Sequence, residues 1–210
     1  MLSNFYCLSI NDDRYNYLSS VFLKYGLPKP IKFPGYKNTE KKERCCLFGH
    51  MSIIMIARYL KLDHVFIFED DAYPRKDILD KMNFYIPRRP NDCGILIFGR
   101  NGEYGEVKWY EHFHIVKERP FGAHAYCVYS NCYDDFLKSL EKERIADIAL
   151  RGNNFQQYKP YWTNDNLFIQ KNLDDNCMSK KFVNEYGHYF YPNKNGGLGV
   201  FDKVPNENWE

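Results

Sequence analysis

The segment that most constrains the fold is an apolar run, Val-Phe-Ile-Phe at residues 65–68, followed at once by three acids at residues 69–71. Short runs rich in β-branched and aromatic residues are typical of strands buried on both faces, as in the parallel sheets of α/β proteins. The Ala-Tyr-Pro segment at residues 72–74 predicts that the chain turns there. Ligands of open α/β sheets bind just beyond the carboxyl ends of such strands, so the acids predict a site at that edge.

The three acids, Glu69, Asp70 and Asp71, suit a divalent cation. At strand spacing, Glu69 and Asp71 would share one face while Asp70 would point away. Hard cations such as Mn²⁺ and Mg²⁺ prefer carboxylate oxygens, often together with phosphate oxygens of a substrate. The alternative is a solvated strand end whose acids cap a helix starting near Arg75. This segment alone leaves both interpretations open.

Length and composition predict one compact, reduced protein. The chain has 210 residues, of which 44% are hydrophobic, enough for one domain with a sizeable core. A net charge of +2 gives no preference for nucleic acid. The seven cysteines are odd in number and include no Cys-x-x-Cys pair. With no leader pattern and no apolar stretch of spanning length, we expect a cytoplasmic protein without a transmembrane segment.

Strand and helix patterns alternate along the chain, which predicts an α/β fold with a mainly parallel sheet. Strands are predicted at residues 5–10, 31–33, 65–68, 94–98 and 123–129, and a hairpin at 106–117. Helices are predicted at residues 15–25, 46–60, 75–82, 132–142 and 164–171. In the last of these, Thr163 would be the cap and Asp165 would lie in the first turn.

Four segments, in this order, resemble glycosyltransferase family 25, which includes lipopolysaccharide and collagen galactosyltransferases. They read SINDDR at residues 9–14, CLFGH at 46–50, VFIFEDDA at 65–72 and GAHAYCVYS at 122–130. The resemblance covers roughly residues 3–171. It departs from the family pattern at Gly49, where a Ser is expected before His50, and more mildly at Ala123, where a Thr is expected.

The resemblance implies a GT-A-like nucleotide-sugar-binding sandwich. It implies a single domain over residues 1–210, with the donor and metal half at about 1–100 and the acceptor half and tail at about 101–210. The implied activity is inverting transfer of a hexose, galactose or glucose, from a UDP-sugar donor to a hydroxyl, with Mn²⁺ or Mg²⁺. The acceptor would be a glycan, a lipooligosaccharide or a hydroxylated protein, met in the cytoplasm or at a membrane that carries it.

The resemblance also assigns roles to individual residues. Glu69 and Asp71 would correspond to the two ends of a D-x-D-type metal motif, although Glu69 and Asp70 could divide metal and ribose contacts between them, or Glu69 could act behind the ligands. His188, near the C-terminus, would be an additional metal ligand, as in many GT-A enzymes. The residues expected to contact the donor are Ser9, Asn11, Arg14, His50 and Asp70.

Inversion requires a base that removes the proton from the attacking hydroxyl. Asp165, close to Trp162, is the predicted base; the alternative is an acid that only complements the helix dipole. His124 lies in a predicted apolar strand, which favours a buried core residue over a metal ligand. His112 and His114 share a predicted strand face but lack further partners for a zinc site.

Two other classes of function remain open at this stage. Gly49 and the short chain allow a catalytically silent protein that binds a nucleotide sugar or a carbohydrate. The same acids would also serve a metal-dependent phosphodiesterase or phosphatase.

Overall fold

The computed structural model describes residues 2–36, 42–99, 107–117 and 123–170, and the backbone of residues 189–192 and 198–201. The strands are β1 (Phe5–Ser9), β2 (Ile31–Pro34), β3 (His64–Glu69), β4 (Ala72–Pro74), β5 (Cys93–Ile97), β6 (Val107–Trp109), β7 (Phe113–Val116), β8 (Ala125–Tyr129), β9 (Lys159–Thr163), β10 (Phe168–Gln170), β11 (Tyr189–Pro192) and β12 (Leu198–Phe201). The helices are α1 (Asp12–Lys24), α2 (Lys42–Tyr59), α3 (Ile78–Tyr85), α4 (Tyr133–Glu143) and α5 (Ala146–Ala149). Within the described residues, no helix combines the length and the hydropathy needed to cross a membrane.

Eight strands form one sheet in the order β2-β1-β3-β8-β5-β9-β7-β6. The pairs β2–β1, β1–β3 and β5–β9 are parallel, whereas β8 and β7 run antiparallel to their neighbours. Six of the eight strands therefore point the same way. The prediction of an α/β fold with a mainly parallel central sheet is confirmed.

Helices cover both faces of the sheet, which explains the uninterrupted apolar run of β3. Phe66 and Phe68 pack in a cluster with apolar residues of α1 and α3. Val65 and Ile67 face the other way and pack with residues of α2 and α4. Because successive side chains of a strand alternate between faces, a strand between two helical layers must be apolar at every position.

The boundaries of α1 follow from its end residues. The side chain of Asn11 accepts hydrogen bonds from backbone N–H groups of the first turn, as expected of a helix N-cap. Gly26 follows the helix with a φ of 77°, a conformation that glycine adopts without strain. The predicted hairpin at residues 106–117 is also present, as β6 paired antiparallel with β7.

The predicted helix at residues 164–171 is wrong. Residues 159–163 form β9, and after a turn the chain forms β10, which pairs antiparallel with β4. Thr163 does not cap a helix, because its hydroxyl donates to the carbonyl of Asp165 at 2.7 Å. Pairing with a distant strand overrides the local helical pattern. The segment 72–74, predicted as a turn, forms the partner strand β4 instead.

Candidate functional site

The site begins where β1 and β3 end side by side, because they are parallel neighbours in the sheet. Ser9 is the last residue of β1. Asn11 then accepts hydrogen bonds from the backbone N–H groups of Asp13 at 2.9 Å and Arg14 at 3.1 Å. This cap fixes the first turn of α1 and so brings Arg14 beside the acids that follow β3.

Asp70 and Asp71, here called the aspartate pair, share Arg14 as a partner. A terminal nitrogen of Arg14 lies 2.6 Å from Asp70 Oδ1 and 3.3 Å from Asp71 Oδ2. The hydroxyl of Ser9 donates to Asp70 Oδ2 at 2.7 Å. Both aspartates are buried, with exposed fractions of 8% and 7%. Three residues predicted to contact a donor, Ser9, Arg14 and Asp70, therefore meet at one point.

Asp71 carries a buried oxygen that lacks a partner. Its Oδ1 makes no hydrogen bond within the described part of the chain. Burial raises the pKa of Asp71 to about 8, and the nearby charge of Glu69 adds to this effect while Arg14 opposes it. A buried carboxylate oxygen without a partner is costly, and a divalent cation would satisfy it. The oxygen donors of the aspartate pair fit Mn²⁺ or Mg²⁺.

Glu69 lies in a different set of contacts, here called the Glu69 pocket (Cys46, His50, Glu69 and Gln170). His50 Nε2 is 3.3 Å from Glu69 Oε1, and the thiol of Cys46 donates to the same oxygen at 3.4 Å. Gln170 Nε2 donates to Glu69 Oε2 at 3.1 Å. Burial opposes ionisation of Glu69, but its interactions with His50 outweigh that effect and lower its pKa to about 2.

The expectation that Glu69 and Asp71 share a face, with Asp70 pointing away, is wrong. Strand alternation applies only within the strand, and β3 ends at Glu69. The chain turns at residues 70 and 71, so that Asp70 and Asp71 both reach Arg14. Glu69 contacts α2 instead, through Cys46 and His50.

His50 is fully buried, and Gly49 before it has a packing role. The Nδ1 atom of His50 is 2.7 Å from the hydroxyl of Tyr126 on β8. A Cβ atom at Gly49 would lie 2.5 Å from Cδ1 of Leu8 and 2.7 Å from its Cδ2. Serine therefore does not fit at position 49 unless Leu8 moves, and the departure from the family pattern accompanies a bulky residue on β1.

Asp165 lies in the turn between β9 and β10, not in a helix. Its Oδ2 is 2.6 Å from Lys81 Nζ, and its backbone N–H donates to the hydroxyl of Tyr85 at 3.2 Å. Burial opposes ionisation, but the bond to Lys81 outweighs it and lowers the pKa of Asp165. These contacts lie on α3, and they differ from those of the aspartate pair, which lie on α1 and β1.

The other histidines considered in the sequence and described in the structure, His112, His114 and His124, contact other residues. His188 lies outside the described residues. His114 Nδ1 is 3.2 Å from Asn164 Oδ1, while the ring of His112 packs 5.1 Å from that of Phe84. His124 is fully buried, with Nε2 3.1 Å from the carbonyl of Phe168, and burial lowers its pKa. A buried, neutral histidine directly before β8 fits the core interpretation of His124.

Sequence reasoning missed three residues of the Glu69 pocket and its surroundings: Cys46, Gln170 and Tyr126. Cys46 and His50 are four residues apart on α2, a spacing that places side chains on one helix face, and this signal was present in the sequence. Gln170 has no local signal, because it reaches Glu69 only through the pairing of β10 with β4.

No protein-family model matches this sequence, and no curated protein matches it. Solved structures do match. One of them is the crystal structure of a glycosyltransferase involved in the glycosylation of the major capsid of PBCV-1. The match has a TM-score of 0.53 at 10% identity and covers 87% of this chain and 98% of the other. This chain therefore has a glycosyltransferase-like fold.

Proposed function

We propose that this protein is a glycosyltransferase that moves a hexose, galactose or glucose, from a UDP-sugar to a hydroxyl of an acceptor, with inversion and with Mn²⁺ or Mg²⁺. The acceptor would be a glycan, a lipooligosaccharide or a protein. The observation that supports this most is the buried aspartate pair at the carboxyl end of β3 in a glycosyltransferase-like fold, since ligands of open α/β sheets bind there. The proposal includes membership of family 25 and a cytoplasmic role in lipopolysaccharide biosynthesis.

The aspartate pair would hold the ion, with Asp71 as the main ligand because its Oδ1 is buried without a partner in the described chain. Two roles are proposed for Glu69: it would either bind this ion or position the residues that bind it. Its contacts with α2 favour the second role. His188 is proposed as a further ligand. When bound, the ion acts as a Lewis acid that neutralises charge on the departing diphosphate.

Arg14 would bind the donor diphosphate. Its guanidinium already lies within 3.3 Å of both aspartates, and guanidinium groups form strong charge-assisted hydrogen bonds with phosphate oxygens. Ser9 and Asn11, at the end of β1, would contact the same nucleotide. His50, which lies in the Glu69 pocket, is also proposed to contact the donor. Asp70 would accept a hydrogen bond from the ribose.

Asp165 is the proposed base. Its bond to Lys81 keeps it ionised, so it accepts a proton only once an acceptor hydroxyl replaces Lys81. We expect Asp165→Ala to lose transfer while UDP affinity stays intact. Asp80→Ala, an exposed acid on the same helix as Lys81, is the control and should transfer normally. Near wild-type transfer by Asp165→Ala would show that the base lies elsewhere.

Thermal unfolding with UDP-galactose and UDP-glucose, each with and without Mn²⁺, tests the donor class. A ligand that binds the native state raises its melting temperature by mass action. We expect a Mn²⁺-dependent rise with a UDP-sugar, together with sugar transfer to an acceptor. Phosphate release from simple phosphoesters, without any requirement for a UDP-sugar, would instead identify a phosphodiesterase or phosphatase.

A second candidate is a catalytically silent protein that binds nucleotide sugars or carbohydrates. The observation in its favour is that Arg14 pairs with both aspartates in the structure, so the acids have a counter-ion of their own. Calorimetry that detects UDP binding, combined with no turnover across a panel of donors and acceptors, would favour this candidate.

A further inference from the structure

A thiol, an imidazole and a carboxylate converge in the Glu69 pocket. Cys46 and His50 lie four residues apart on α2 and both reach Oε1 of Glu69. One ligand atom from each of the three residues lies within 4.8 Å of the other two. The proposed transfer reaction gives Cys46 no role.

We propose that Cys46, His50 and Glu69 bind a transition-metal ion of the Zn²⁺ class, at a site separate from the ion of the aspartate pair. This inference goes beyond the proposed function, because it concerns a second ion with different ligands. It makes the pocket a metal centre between α2 and the end of β3.

Two of the three spacings between the ligand atoms match a tetrahedral zinc ion. Zinc–ligand lengths of about 2.0–2.3 Å at tetrahedral angles put a sulfur and an oxygen about 3.6 Å apart, and a nitrogen and an oxygen about 3.4 Å apart. The structure has 3.4 Å from Cys46 Sγ to Glu69 Oε1 and 3.3 Å from His50 Nε2 to the same oxygen. These two spacings would therefore need to change by only a few tenths of an ångström when an ion enters, and the sulfur and the nitrogen lie within 4.8 Å of each other.

Outer contacts already orient two of the ligands. The Tyr126 hydroxyl is 2.7 Å from His50 Nδ1, which leaves Nε2 directed at Glu69. Gln170 holds the second oxygen of Glu69 at 3.1 Å. Metal-binding histidines and carboxylates characteristically have such hydrogen-bond partners, which fix ring orientation and tautomer.

The chemistry of the ligands selects the ion. A thiolate with an imidazole and a carboxylate suits Zn²⁺ or Co²⁺, whereas Mg²⁺ and Mn²⁺ prefer oxygen. On binding, the Cys46 thiol loses its proton to solvent and the sulfur becomes a ligand. The Glu69 side chain is 21% exposed, so water can complete the fourth position. Such an ion would fix α2 to the residue directly before the aspartate pair.

Cobalt titration of the full chain, freed of metal with a chelator, tests the site. We expect one equivalent of Co²⁺ to give a near-ultraviolet thiolate-to-cobalt band with tetrahedral visible bands, both removed by Zn²⁺. Cys46→Ser should lose the thiolate band, and Cys45→Ser, which changes the adjacent thiol, should retain it. Tyr126→Phe should keep the band but weaken binding by about 10-fold or more.

A wild-type protein without a thiolate band would overturn the proposal, and this result requires no variant that might misfold. So would a Cys46→Ser protein that binds Co²⁺ with an unchanged spectrum. Asp71→Asn separates the two proposals: it should keep the cobalt spectrum while losing Mn²⁺-dependent transfer. Loss of the cobalt spectrum in Asp71→Asn would overturn the separate site. Absence of transfer in a wild-type protein with a normal cobalt spectrum would count against the proposed function alone.

Discussion

Glu69 and Asp71 are two residues apart, yet they lie in opposite electrostatic settings. The pKa of Glu69 is lowered to about 2 and that of Asp71 is raised to about 8. Burial acts in the same direction on both, since it disfavours a charged carboxylate. The difference arises from their partners: Glu69 meets donors from α2 and β10 on both oxygens, whereas one oxygen of Asp71 has none in the described chain. Partners, and not burial, separate a satisfied acid from one available to a ligand.

Replacing Asp71 gives the largest expected effect. If Asp71 is the main ligand of the donor's ion, Asp71→Asn should lower kcat/KM for Mn²⁺-dependent transfer by roughly 100-fold or more. That loss corresponds to about 2.7 kcal/mol of transition-state stabilisation. Asp13→Asn, an exposed acid in the first turn of α1, should stay within about twofold of wild type. Full activity of Asp71→Asn would show that Asp71 is not the main ligand of the ion, and its difference from Glu69 would then have no functional meaning.

The pH dependence of unfolding tests whether the pKa of Asp71 is raised in the folded protein. Between the usual pKa of Asp71, 3.8, and its folded value of about 8, the native state holds a proton that the unfolded state releases. Stability without metal should therefore fall as pH rises through this window, and Asp71→Asn should flatten the slope. At pH 8 the variant should be about 1–3 kcal/mol more stable than wild type, since an incompletely paired buried charge is gone.

In the same denaturation series, the contribution of Glu69 to the unfolding free energy should change with pH in the opposite direction. Its folded pKa of about 2 lies below its usual value of 4.5. The stability that it contributes is complete above pH 4.5 and is lost as pH falls towards 2. Glu69→Gln should remove that acid-side loss and also lower the pKa of Asp71, because one negative neighbour is gone. Identical slopes for both variants would contradict the contrast between the two acids.

Gly49→Ser tests the packing beneath the Glu69 pocket. The new Cβ would lie 2.5 Å from Cδ1 of Leu8, and forcing atoms into a packed core costs about 1–3 kcal/mol. Urea denaturation should show this loss in Gly49→Ser. The double variant Leu8→Ala/Gly49→Ser should lose less than the sum of its two single variants. Strict additivity would mean that the two positions do not interact.

Tyr126→Phe should have the smallest effect. It removes the hydroxyl 2.7 Å from His50 Nδ1 while keeping the ring, so we expect a loss of about 0.5–1.5 kcal/mol of unfolding free energy. The loss of stability at low pH that is assigned to Glu69 should change, because His50 is the main partner that stabilises the Glu69 carboxylate. The pH dependence of stability that is assigned to Asp71 should change less. Tyr158→Phe, at a partly buried tyrosine that is not one of the four residues of the pocket, is a control for loss of a hydroxyl.

The sequence was sufficient to predict elements whose signals are local. The strand predicted at residues 65–68 and the helix predicted at residues 15–25 both appear in the structure, the helix as Asp12–Lys24. These features depend on strand composition and helical periodicity, which are properties of short segments.

Two features could not be predicted in this way, because they depend on distant partners. Residues 168–170 form a strand that pairs with β4, and that pairing also places Gln170 beside Glu69. The contact of Asp165 with Lys81 likewise joins two separate segments. A short apolar run such as Leu167 and Phe168 fits either a helix or a strand, and only the pairing decides between them.

The position of β8 in the sheet has a consequence for how the protein folds. β8 lies between β3 and β5, with Phe66 opposite Cys127 and Leu96 opposite Cys127 on its other side. The middle of the sheet therefore closes only after segments far apart in the chain have met, and such non-local pairing slows folding. Until β8 docks, Tyr126 cannot reach His50. The local units, such as α1 and the β6–β7 hairpin, should form first, and the Glu69 pocket should be among the last parts of the molecule to take shape.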